Sequence, residues 1–79
     1  MIFWEIDMTF QERIIFIKNS RNILQKDIAQ AANVTVRQYQ RYEKGETQPT
    51  LPVLIALADF FDVSIDYLVG RTDNPAVNR

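Results

Sequence analysis

Four hydroxyl residues divide this chain into short helices. Thr9, Thr35, Thr50 and Ser64 each stand directly before a run with apolar residues at helical spacing. Asn33, Gly45, Asp62 and Gly70 stand where such runs end. A helix leaves its first amides and last carbonyls without internal partners, so side-chain acceptors in front and residues tolerant of positive φ behind mark its limits. The predicted fold class is therefore all-α, a compact bundle of about five short helices, with no plausible strand pair.

Thr9 with Glu12 forms a capping-box signature, so the first helix should begin at Phe10 and bury Phe10, Ile14 and Ile17. "QKDIAQAA" reads as a second, short helix offering Ile28, Ala29 and Ala32 to the core. The third runs from Thr35 to Lys44, with Gly45 as its stop. In "ETQPTLPVLIALADFF", Thr50 is the expected cap, Pro52 sits harmlessly in the first turn, and Leu51, Leu54, Ala58 and Phe61 form the expected buried stripe. Ser64 caps a last helix through "IDYLV". Residues 1–8 read as an apolar N-terminal arm, 9–70 as the domain and 71–79 as a polar C-terminal tail.

At 79 residues the chain is one domain. It holds neither Cys nor His, which removes disulfides, thiolate metal sites and the usual general bases, so no enzyme, cofactor or metal is expected. Asp59, Asp62 and Asp66 fit no calcium-loop spacing. No apolar run approaches the roughly 20 residues of a membrane span. "MIFWEIDM" carries Glu5 and Asp7 and lacks a basic leader, so it is not read as a signal peptide; a cytoplasmic location is expected.

The formal charge of −1 conceals a division along the chain. Residues 9–45 hold seven basic side chains against three acidic ones, a net +4, while the segments before and after carry −2 and −3. A basic middle suits one face meeting phosphate while the rest stays solvated or meets a partner.

The stretch "TVRQYQRYEKG" lies in that basic middle. At about 100° per residue, Tyr39 and Tyr42 fall within about 40° of Thr35, whereas Arg37, Gln40, Arg41 and Lys44 fall between about 140° and 240°. Tyrosines point one way and bases the other. Arg matches the paired acceptors of guanine in the major groove, and Gln matches the donor–acceptor pair of adenine. Taken alone, that face fits simple solvation better than it fits a groove. A short helix, a sharp turn and a second helix opened by a Thr cap together describe a helix-turn-helix.

Here the resemblance becomes specific. Through "QKDIAQAANVTVRQYQRYEKG", "QPTLPVLIALADFF" and "VSIDYLVG", about three-quarters of the chain resembles the lambda-repressor-like, Cro-type (XRE) family of bacterial and phage regulators. The resemblance implies a lambda-repressor-like DNA-binding domain with the helix-turn-helix formed by helices 2 and 3. It places Val36, Arg37 and Arg41 at base-reading positions. It places Gln25, Thr35, Gln38, Gln40, Lys44 and Gln48 at phosphate or groove-edge positions. Val36 would offer only an apolar contact, suited to a thymine methyl; packing on the second helix is an equal reading of it.

The departures from the family are informative. Leu24 stands where a Ser or Thr cap is usual, and Asn33 and Asp62 stand where Gly is common. Lys18 occupies a position often held by Arg, which in relatives pairs with the residue matching Glu43; lysine keeps the charge without the planar fork. Ile15 and Phe16 fall off the stripe of the first helix and are read as covered by the arm, where Ile2, Phe3, Trp4 and Ile6 also need burial, the alternative being a contact surface for a second subunit.

The expected function is sequence-specific binding of double-stranded DNA by a transcriptional regulator, a repressor, acting as a homodimer on a palindrome with no membrane association. Helix N-termini and Gln25 should hold phosphates, and Arg37 and Arg41 should read bases. The alternative is an antitoxin-like module of the same fold whose main partner is another protein.

Overall fold

The structure, a computed structural model, describes residues 8–77. The expected roles of Ile2, Phe3, Trp4 and Ile6 lie outside those residues. Among the described residues five helices follow one another: α1 (Phe10–Arg21), α2 (Gln25–Ala31), α3 (Val36–Glu43), α4 (Leu51–Phe61) and α5 (Ile65–Leu68). No strand occurs among the described residues.

The caps act as their chemistry requires. Glu12 N donates to Thr9 Oγ1 at 3.2 Å and Thr9 N donates to Glu12 Oε1 at 2.9 Å, completing the capping box. Gln38 N donates to Thr35 Oγ1 at 3.0 Å and Tyr67 N to Ser64 Oγ at 3.0 Å. A cap of this kind stabilises by about 1 kcal/mol. Thr50 occupies the N-cap of α4 but makes no side-chain cap bond, and Leu24 before α2 cannot make one. Asn33 and Asp62 turn left at φ 58° and 56°, as their positions demanded. Asn22 does the same at φ 55°, ending α1, a role not foreseen from the sequence. At Gly70 (φ 86°) a Cβ would also collide with the Met8 carbonyl oxygen, so two constraints select glycine there.

Every helix sends at least one fully buried side chain to the core: Ile14, Ile28, Tyr39, Leu57 with Phe61, and Leu68. Burying such an aliphatic side chain stabilises by about 1.5–3 kcal/mol. The α4 stripe differs from expectation at its start. Leu51 is 64% exposed, and Leu57 takes a core place beside Ala58 and Phe61. Leu51 is the first residue of α4, and a helical side chain points back toward the helix N-terminus, which at this position carries it away from the helix body.

Among the described residues beyond Gly70 there is no helix, yet the segment is tied down. Ser64 N donates to Pro75 O at 3.1 Å, and the Arg13 guanidinium reaches the Thr72 carbonyl and the Asp73 carboxylate. Arg13 is thereby only 4% exposed and cannot belong to a basic surface.

Candidate nucleic-acid interface

The interface begins with the two tyrosines that anchor α3. Tyr39 and Tyr42 are buried, so the opposite side of a helix of eight residues must face solvent. Arg37, Gln40, Arg41 and Lys44 occupy that side and, with Glu46, line one shallow depression. Val36 stands at the head of α3, 39% exposed, so packing does not consume its side chain. Thr35 is the cap, Gln38 is half-buried on the flank, and Gln48 is exposed in the connection to α4.

The seven basic residues of the middle segment separate by role. Arg13 is buried against the C-terminal segment. Lys18 Nζ lies 3.0 Å from Glu43 in a pair whose side chains are 16% and 11% exposed. Arg21 donates to the Phe61 carbonyl. Lys26, Arg37, Arg41 and Lys44 are exposed as Arg21 is, with Arg37 and Arg41 on α3 and Lys44 at its C-cap. Net charge along the chain thus overstated the face: the three basic residues of α1 serve structure.

Gln25, at the head of α2, is not idle in the unbound chain. Its Nε2 donates to Glu43 Oε1 at 3.1 Å, and its Oε1 accepts from Gln40 Nε2 at 3.1 Å. Lys18 Nζ donates to the same Glu43 oxygen at 3.0 Å. A hydrogen-bonded line therefore runs from α1 through Glu43 and Gln25 to the exposed face of α3. The Tyr39 hydroxyl is buried against the same carboxylate, whose Oε2 also lies 3.0 Å from Lys18 Nζ. Burial, and then the neighbouring Glu43 carboxylate, push the Tyr39 phenol far above its ordinary range and keep it protonated.

Glu46 and the Glu43–Gln25–Gln40 links escaped the sequence reading. Glu46 Oε1 lies 3.7 Å from Arg41 Nε, with both side chains half exposed. Glu43 falls at about 80° on the same wheel, between the tyrosines and Gln40, which pointed it toward α2. No helix among the described residues is long and apolar enough to cross a membrane.

Comparison with known proteins meets this geometry. A helix-turn-helix family model (HTH_3) matches residues 16–68. The chain is 34% identical over 64 residues to the cryptic phage CTXphi transcriptional repressor RstR of Vibrio cholerae, covering 81% of this chain and 57% of that protein. The chain thus spans little more than half the length of the curated relatives it matches. A transcriptional regulator from Listeria innocua superposes with a TM-score of 0.74 at 39% identity, over 78% of this chain and 58% of that one. The P22 c2 repressor, solved with synthetic operator 9T, superposes with a TM-score of 0.73 at 27% identity, over 78% of this chain and 94% of that one.

Proposed function

The chain belongs to the helix-turn-helix family of lambda-repressor-like, Cro-type (XRE) regulators, and on that premise we propose that it represses transcription by laying α3 in the major groove of double-stranded DNA. The carrying observation is the exposed cluster of Arg37, Gln40, Arg41 and Lys44 on a helix anchored by Tyr39 and Tyr42. Arg37 and Arg41 read base edges, guanine above all, and Val36 meets a thymine methyl. Gln25 keeps one amide hydrogen for a backbone phosphate, and Thr35, Gln38, Lys44 and Gln48 border the groove. One reading helix supplies little affinity, so the active species is a homodimer on a palindrome with half-site centres about 34 Å apart, or a multiple of that. The P22 c2 repressor, which shares this fold and was solved with a synthetic operator, supports duplex DNA as the ligand.

The test is binding to duplex DNA from the upstream region of its own gene across a salt series, beside an Arg37→Ala/Arg41→Ala variant. Specific, salt-sensitive binding to an inverted repeat that the variant loses is the expected result. Weak binding, equal on all sequences and unchanged in the variant, would leave the Arg face as solvated surface and sink the proposal.

A further inference from the structure

The line from Lys18 to Gln40 has a fixed direction. The Glu43 carboxylate can only accept, so the Gln25 amide must turn its nitrogen inward to donate at 3.1 Å. That leaves the Gln25 carbonyl oxygen facing α3, where it too can only accept. Gln40 must in turn give its nitrogen to Gln25, at 3.1 Å. Its own carbonyl oxygen is left over, with one remaining N–H. The polarity of an exposed amide on α3 is thus dictated by a carboxylate about nine-tenths buried beneath it.

The leftover pair decides what Gln40 can meet. A phosphate only accepts, so it can use the N–H but not the carbonyl oxygen. Guanine presents two acceptors in the major groove and thymine a single acceptor, neither of which suits a carbonyl oxygen. Cytosine offers a donor alone. Adenine offers both a donor at N6 and an acceptor at N7, matching both free groups of Gln40.

Resting on the proposal that α3 lies in the major groove, we propose that Gln40 is a specificity-determining residue selecting adenine at one position of each half-site. Glu43 acts through Gln25 as the positioning residue that sets the polarity of the Gln40 amide. Gln40 then reads a base edge rather than merely bordering the groove.

The experiment selects bound duplexes from a randomised DNA library with the full chain, its Gln40→Ala and Gln40→Glu variants, and Glu43→Gln. Gln40 is exposed, so its variants keep the fold, and melting curves check this for all three. The wild-type chain should recover a motif in which one adenine is preferred about fivefold or more. Gln40→Ala should lose that preference with the other positions unchanged. Gln40→Glu, an acceptor alone, should turn it toward cytosine. Glu43→Gln lets the Gln25 amide reverse, and should blur the same position while leaving the rest of the motif intact. A motif identical in wild type and Gln40→Ala overturns this inference alone. An intact adenine preference in Glu43→Gln, with affinity lowered evenly on all sequences, overturns the positioning role. Recovery of no motif by the wild-type chain overturns this inference together with the DNA-reading function beneath it.

Discussion

The Arg13 guanidinium lies over the Tyr67 ring, 4.0 Å from its centroid, while its Nη2 stands 3.2 Å from the Asp73 carboxylate. One buried cation thereby joins α1 to α5 and to the segment beyond Gly70. That contact explains why the residues after the last helix follow the domain surface, and it removes Arg13 from the count of charges available to a polyanion.

Arg13→Ala should be costly, because it deletes a cation–π contact and a buried stem together. A loss of about 2–4 kcal/mol is expected. Asp73 is more than half exposed, so Asp73→Ala should lower stability by about 1 kcal/mol at most. Urea unfolding of both variants checks the ordering; equal losses would contradict it.

Lys18 and Glu43 form a mostly buried pair in which one ammonium lies 3.0 Å from both carboxylate oxygens. An arginine fork gives each carboxylate oxygen its own N–H in a fixed plane, where here one ammonium is shared between the two. Lys18→Arg should therefore stabilise the domain by about 1 kcal/mol, read as a rise in Tm of roughly 4–8 °C for a domain of this size. Glu43→Ala should do the opposite by a larger margin, leaving the Lys18 charge and the Gln25 amide without their acceptor. A fall in Tm for Lys18→Arg would show that the site has no room for the fork.

Tyr39 gives the fold an alkaline limit. Its phenol is raised far above the ordinary value, first by burial and then by Glu43. The unfolded chain releases this proton at about pH 10 while the folded chain holds it. Stability from this group is thus complete below about pH 10 and declines as pH rises beyond, by up to about 1.4 kcal/mol per pH unit. Tyr39→Phe should abolish that share of the decline. Denaturant midpoints between pH 9 and pH 11 on both proteins make the comparison, and parallel curves would refute it.

Glu46 sits beside Arg41 and brings negative charge to the face assigned to DNA. Glu46→Gln should free the Arg41 side chain and strengthen duplex binding at low salt by about three- to tenfold, with less gain at high salt. Titration of labelled duplex at two salt concentrations tests it. Unchanged affinity at both would place Glu46 outside the interface.

The helix boundaries, the caps at Thr9, Thr35 and Ser64, the left-handed turns at Asn33 and Asp62, and the inward tyrosines of α3 were determined by the sequence alone. Each depends on residues within a few positions of one another, through hydrogen bonds and helical periodicity that local order makes visible. The exposed set Arg37, Gln40, Arg41 and Lys44 was legible for the same reason, since burying two tyrosines on one side of a short helix leaves the other side outward. Tertiary structure alone decided that Leu57 displaces Leu51 from the core, that Arg13 is buried beside Asp73, and that Glu43 governs Gln25 and, through it, Gln40. These outcomes pair residues about 15 to 60 positions apart, or depend on where a helix end meets the core. Only the packing of α1, α2, α3 and α5 against one another sets which charge finds a partner and which amide keeps its donor for something else.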